Sequence, residues 1–345
     1  MRGRNIAFAK RALVLRKAAL ALRQGVQPLF VGALALAISA SAIAQTKMIF
    51  YTNWFAQAEH GGFYQAQAQG LYKKHGLEVE IKMGGPQVNG LQLLAAGQMD
   101  VFMGYDIQTL GALEQGVPLV TVAATFQKDP AVIISHPGPK RVEDLKGKPI
   151  FIGPASNTTF WPWLVARYGF SDAQKRPYAF SVQPFLADKT SSQQGYVTSE
   201  PYSVEKGGVK PTVFLLADLG YPPYAQTLVT TRTVLEKKRK EMQSFIQASA
   251  EGWKSYLADP AAGNLLIKKD NPQMEDELIA YGIRKMKEYS LVSGGDAAKL
   301  GIMTMSDDRW RRTHEFMVSA KLLKAETDYR RGYTLDLVRA VKVLP

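Results

Sequence analysis

Between Asn53 and Gly76 the chain reads NWFAQAEHGGFYQAQAQGLYKKHG, which gathers aromatic side chains and two of the four histidines into one short stretch. Imidazoles can ligate a metal or move protons. His60, His75, His136 and His314 stand far apart, however, and none has a partner one helical turn away, so no metal site is expected. A nucleophilic serine calls for Gly-x-Ser-x-Gly between a strand and a helix. Gly153-Pro154-Ala155-Ser156-Asn157 has the place but not the spacing. There Ser156, Asn157 and the free N–H groups of a helix expected from about Thr158 suit an anion or an acceptor atom. The loop from Gly84 and Gly85 to Gly90 is a second of this kind. Each is either ligand-facing or an ordinary strand-to-helix turn, and neither carries a phosphate motif.

Aromatic residues fall at loop and strand-end positions: Trp54 and Phe55, Tyr105, Phe160, Trp161 and Trp163, Tyr202, Tyr221 and Tyr224. Rings so placed suit stacking on a planar ligand; core packing is the competing expectation, strongest for Phe160 and Trp163. Trp54, just after the first expected strand, is expected to stack. Glu200 follows an expected short strand, Tyr196-Val197-Thr198, and precedes Pro201, a residue favoured in the first turn of a helix. Its carboxylate suits an exocyclic amine or protonated ring nitrogen and repels a sulfonate or nitrate, unless it only caps the helix that follows.

These candidates need elements to hold them. Apolar, β-rich runs at Met48–Tyr51, Val79–Ile81, Val101–Met103, Leu119–Val122, Val132–Ile134, Ile150–Ile152, Val213–Leu216 and Leu228–Thr230 alternate with helical patterns. Alternation of this kind predicts an α/β protein with mostly parallel sheets. After Thr231 the pattern turns helical. Met242, Phe245, Ile246, Ser249, Trp253, Tyr256 and Leu257 recur at three and four residues until Asp259-Pro260, which reads as a core-facing stripe. Further helices are expected over Met274–Glu288 and Asp307–Leu323.

The first 44 residues carry seven basic side chains and no acid, then the apolar run Leu29–Ala40 and Ala42-Ile43-Ala44. That order predicts a secretory signal cleaved after Ala44, because the apolar run is shorter than the roughly 20 residues a span requires. Removing those seven charges from the formal +13 leaves +6, too mild for a nucleic-acid binder. The densest basic run, Lys237-Lys238-Arg239-Lys240, is either a solvated helix face or a docking patch. The chain has no cysteine, which excludes disulfides, thiol chemistry and a lipid anchor on cysteine. A soluble exported chain of this type is expected in the periplasm. About 300 mature residues exceed what one core organises, so two lobes are expected: 45–135 with 231–345, and 136–230.

Asn53-Trp54 with His60, then GGFYQAQAQGLYKKHGLEVEI, LLAAGQMDVFMG and VEDLKGKPIFIG, resemble the family that joins thiamine-pyrimidine-precursor and alkanesulfonate or nitrate-type binding proteins of bacterial ABC importers. The likeness runs from about Thr46 to Pro260. It implies a type II periplasmic binding fold, with two α/β lobes, two crossover strands and a ligand caught in the cleft by closure. The Asn-Trp opening and His60 look closest to the thiamine-pyrimidine branch. That branch also contains a fungal enzyme that makes the pyrimidine phosphate from its own histidine and bound pyridoxal phosphate, and His60 falls where the sacrificed histidine would be. The branch's cysteine-rich segment is replaced after Leu219-Gly220 by Tyr221-Pro222-Pro223-Tyr224-Ala225, and no lysine lies between Phe55 and Glu59. Both departures point away from the enzyme.

The resemblance makes the opening stretch a pocket wall, with His60 as a hydrogen-bonding or gating residue or else a structural one. His75 reads as a charge at a helix C-terminus. The expected function is that of a monomeric solute-binding component working with an ABC permease in the inner membrane, without cofactor, metal or catalysis. Its expected ligand is a small planar heteroaromatic, a thiamine-related aminopyrimidine first. A sulfonate, an aromatic acid or a flavin-like ligand is the alternative, and a pyridoxal-phosphate-dependent pyrimidine synthase the rival from another class. The expected ligand-binding set is Asn53, Trp54, His60, Gly85, Tyr105, Ser156, Asn157, Trp161, Glu200, Tyr202, Tyr221 and Tyr224.

Overall fold

Met48 and Phe50 alternate with Ile49 and Tyr51 along β1 (Thr46–Tyr51), and the first pair is fully buried while the second packs partly covered on the opposite face. Period-two burial is what a strand between two layers requires. The computed structural model describes residues 45–85, 88–179 and 181–345; the expected leader and its cleavage site fall outside them.

Among the described residues ten strands form two five-stranded sheets. In the first the order is β2 (Leu77–Lys82), β1, β3 (Val101–Gly104), β10 (Ala225–Thr231), β4 (Leu119–Phe126). In the second it is β7 (Lys175–Pro177), β6 (Ile150–Ile152), β8 (Ser192–Tyr196), β5 (Ala131–Ser135), β9 (Thr212–Leu215). Both sheets are mixed rather than mostly parallel. β10 runs antiparallel to β3 and β4, and β5 runs antiparallel to β8 and β9. These are the two crossing strands, each inserted next to the edge of the sheet it enters.

The crossings lie earlier than the expected boundaries at 135/136 and 230/231. β5 belongs to the second sheet and β10 to the first, so each change of lobe precedes its strand. Local chemistry explains the shift: Asp129-Pro130 and Tyr221-Pro222-Pro223-Tyr224 interrupt the ladders, because proline has no N–H to give. The return crossing is firmly held. Arg309 donates to the carbonyls of Pro222 and Pro223 and lies 4.8 Å over the Tyr224 ring, while the Tyr224 N–H donates to Asp106 at 3.0 Å.

The last third is helical. Met242, Phe245, Ile246, Ser249, Trp253 and Tyr256 of the Arg239–Ala258 helix are fully buried, while Leu257 is partly so. This helix lies close along Gly61–Ala68, and glycine permits the approach. A Cβ at Gly62 would sit 2.2 Å from the Trp253 ring, and one at Gly252 would sit 2.2 Å from the Gly62 carbonyl oxygen. So the Gly-Gly of the opening stretch serves packing. The basic run divides between two helices, with Lys238 paired to Asp100 and Arg239 to Asp336. Helices Asp276–Glu288 and Asp307–Ser319 complete the layer.

Candidate functional site

A cleft of about 970 Å³ lies between the lobes at the carboxyl ends of β1, β3 and β6, where open α/β sheets place their ligands. On the first lobe, β1 ends in Thr52, whose hydroxyl donates to the Trp54 carbonyl at 2.7 Å and accepts from the Gly84 N–H at 3.1 Å. A Cβ at Gly84 would meet the Thr52 carbonyl oxygen at 2.2 Å, so only glycine lets the two loops touch. Pinned in this way, Asn53 and Trp54 line the cleft together with Gly85, and Trp54 stands edge-on to Phe55 with centroids 5.7 Å apart. Tyr105, at the start of the Asp106–Glu114 helix, completes the wall.

His60 does not reach the cleft. It is fully buried, its Nε2 is 3.3 Å from Asn53 Oδ1, and burial pushes its pKa down to about 3. A neutral imidazole that donates from Nε2 fixes the Asn53 amide, so His60 is a positioning residue. His75 bonds Glu251 at 3.1 Å beyond a helix end, His136 stacks on Phe185, and His314 stacks on Tyr329.

The second-lobe wall is polar, and its groups bond to one another. Gln194 Oε1 accepts from the Gly153 N–H at 2.6 Å and the Ser156 hydroxyl at 2.7 Å. Asn157 donates to the Pro154 carbonyl and accepts from Lys175 at 2.9 Å. The helix expected from Thr158 begins at Phe160, after a 3-10 turn over Pro154–Thr158. Glu200 lines the cleft, but its carboxylate already accepts from the Tyr178 hydroxyl at 2.8 Å, the Tyr196 N–H at 2.7 Å and the Ser199 hydroxyl at 2.7 Å.

Besides His60, four expected site residues lie elsewhere. Trp161 is buried in the second-lobe core, where it donates to Asp172 at 2.8 Å and borders a separate surface groove. Tyr202 packs on Tyr281. Tyr221 is wedged between Trp163 and Phe316, and Tyr224 is fully buried at the return crossing. An aromatic residue near a strand end reads alike from sequence whether it faces a cleft or a core.

Sequence reasoning missed the acids that burial makes unusual. Glu59, 1 % exposed on the first lobe, accepts from Thr198 of the second. Burial, helped by the charge of Glu200, raises its pKa to about 7. Asp129 lines the cleft where the chain first crosses, 1 % exposed; burial and the neighbouring Asp106 charge raise it to about 7. Asp106 itself is raised by burial to about 6. Glu59 in an apolar segment and Asp129 before proline were the available signals. Across the cleft, Tyr105 bonds Tyr196 through their hydroxyls and Gln108 donates to Thr158 at 3.3 Å. Among the described lining residues there are two acids, Asp129 and Glu200, and no lysine, arginine or histidine.

The family model described as NMT1/THI5 like matches residues 57–263. The chain is 24% identical over 286 residues to the riboflavin-binding protein RibY of Chloroflexus aurantiacus, covering 80% of this chain and 81% of that protein. It is 21% identical over 281 residues to the formylaminopyrimidine-binding protein of Halalkalibacterium halodurans, covering 77% and 84%. Among solved structures, the periplasmic aliphatic sulphonate binding protein SsuA of Escherichia coli superposes with a TM-score of 0.62 at 15% identity, covering 84% of this chain and 91% of that one. At that identity the likeness is one of fold: two mixed α/β sheets in the periplasmic binding protein arrangement.

Proposed function

The chain belongs to the NMT1/THI5-like family, and from that premise we propose that it is the periplasmic substrate-binding component of an ABC importer. It captures a neutral or cationic planar heteroaromatic between its lobes and hands it to a permease, without catalysis. One observation carries this: the cleft is lined by aromatic rings and two acids, with no cationic side chain among the described lining residues. Stacking surfaces suit a flat ring, and a lining without a cationic side chain gives a sulfonate or another anion no charge partner. Asn53, Trp54, Gly85 and Tyr105 form the first-lobe contact surface. Ser156, Asn157 and Glu200 face them, the last holding Tyr178 and Tyr196 in place.

An aminopyrimidine of the kind bound by one relative is the first candidate ligand. A cleft of about 970 Å³ lies at the upper end of the roughly 300–1,000 Å³ typical of ligand pockets, which favours a second reading, a multi-ring heteroaromatic such as a flavin. Two crossings between lobes provide a hinge, so a ligand touching both walls biases the closed form. To test the reading, protein purified from the periplasm of its host is denatured and the released small molecule identified by mass. A planar heteroaromatic is expected; a stoichiometric sulfonate or inorganic anion would overturn the reading.

A further inference from the structure

Of the two acids that line the cleft, Glu200 has both carboxyl oxygens bonded within the protein and Asp129 has one. It sits in the link between β4 and β5 and lines the cleft at 1 % exposure. One carboxyl oxygen accepts from the Ala131 N–H at 2.7 Å, and the other has no hydrogen-bond partner among the described residues. Leaving a buried carboxyl half-bonded is costly, and the charge of the nearby Arg309 offsets it only in part, since its Nε and Nη2 groups donate to the carbonyls of Pro222 and Pro223. Beside it the buried Tyr221 hydroxyl is also without a partner.

We infer that Asp129 is the side chain that reads the ligand's hydrogen-bonding edge, pairing with a ring that presents a donor next to an acceptor. The inference rests on the reading of the cleft as a heteroaromatic site and sharpens it. The groups that face Asp129 are Asp106 on the Asp106–Glu114 helix, Arg309 on the Asp307–Ser319 helix and Tyr221 on the return crossing. Burial and Asp106 keep the carboxyl protonated up to near-neutral pH. A protonated carboxyl donates from one oxygen and accepts at the other. It therefore matches the ring nitrogen and exocyclic amine of an aminopyrimidine, or the N–H and carbonyl of an imide edge in a larger ring. A sulfonate presents acceptors only.

The test uses the mature protein with 4-amino-2-methylpyrimidine and riboflavin as calorimetric probes at pH 6, on wild type, Asp129→Ala, Asp129→Asn and Trp54→Ala, with thermal melting of each as a fold check. For whichever probe the wild type binds, Asp129→Ala is expected to weaken affinity by about tenfold or more, the loss of one well-placed hydrogen bond to a buried group. Asp129→Asn, whose amide also offers a donor beside an acceptor, is expected to stay within about threefold, as asparagine does in pairing with adenine. Unchanged binding by both Asp129 variants, with Trp54→Ala weakened, overturns the role of Asp129 and leaves the cleft reading standing. Equal loss in both variants with the fold intact overturns the edge pairing. If the wild type binds neither probe, the cleft reading fails and takes this inference with it.

Discussion

The two walls of the cleft are built on opposite plans. The first-lobe wall holds its backbone through Thr52 and Gly84 and the Asn53 amide through the buried His60, and Asn53, Trp54 and Tyr105 line the cleft. The second-lobe wall spends its polar groups on itself, with Gln194, Asn157 and Glu200 each serving two or more internal partners. A residue type therefore does not announce its task. Glu200 has the chemistry to read a ligand amine, yet its bonds make it a structural post, while the less conspicuous Asp129 keeps an oxygen open.

The strongest way to break this contrast is Glu200→Ala. With three donors orphaned, it is expected to lower unfolding free energy by about 3–4 kcal/mol, from charge-assisted bonds of about 1.5–3 kcal/mol each discounted for partial exposure; chemical denaturation measures it. Stability unchanged, with binding lost, would return Glu200 to the ligand.

The seam between the walls gives the next effect. Glu59 has a folded pKa of about 7 against the ordinary glutamate value of 4.5, so the folded protein keeps a proton that the unfolded chain releases between those values. Stability from this group is full below pH 4.5 and falls as pH rises to about 7, by on the order of 2–3 kcal/mol. Denaturation midpoints across that range should slope downward, and Glu59→Gln should flatten part of the slope; an identical slope would move the titration elsewhere.

Trp54→Ala tests the open wall directly. It is expected to cost about 1–3 kcal/mol of ligand affinity, by analogy with stacking on bases, with little change in melting temperature. Calorimetry on the folded variant decides between a stacking face and a packing role.

The smallest expected effect belongs to the bridge. Tyr105→Phe removes a hydroxyl pair that ties the walls together and should shift the closed form by about 0.5–1.5 kcal/mol. Small-angle scattering of the ligand-free variant should give a larger radius of gyration; no change would mean that the lobes are held by other contacts.

Much of the architecture was legible, for reasons that local pattern supplies. The eight apolar runs became strands because β-rich stretches between turn residues have few alternatives, and the Trp253 stripe became core because its spacing lines one helix face. The edge strand β7, Lys175–Pro177, lacks an apolar run and was missed, and the strand expected over Tyr196–Thr198 lies earlier, at Ser192–Tyr196, because its Ser-Gln-Gln-Gly stretch carries no apolar signal. The lobe boundaries slipped because an apolar strand reads the same in either sheet. Of the expected site residues, Asn53, Trp54, Gly85, Tyr105, Ser156, Asn157 and Glu200 line the cleft, and position near a strand end was the legible signal. The buried state of Trp161, Tyr221 and Tyr224, and the acids Glu59 and Asp129, depend on contacts made across tens to hundreds of residues.

The placement of β10 bears on the order in which the chain can fold as it is made. All strands of the second sheet lie between Ala131 and Leu215, so that sheet can close from one continuous stretch. The first sheet cannot, because among the described residues β4 has only β10 as its strand neighbour and β10 ends at Thr231. While β2, β1 and β3 can pair among themselves, β4 must wait for chain delivered about 100 residues later, counting from its end at Phe126 to the end of β10 at Thr231. Pulsed labelling during synthesis should therefore find the second sheet protected before β4.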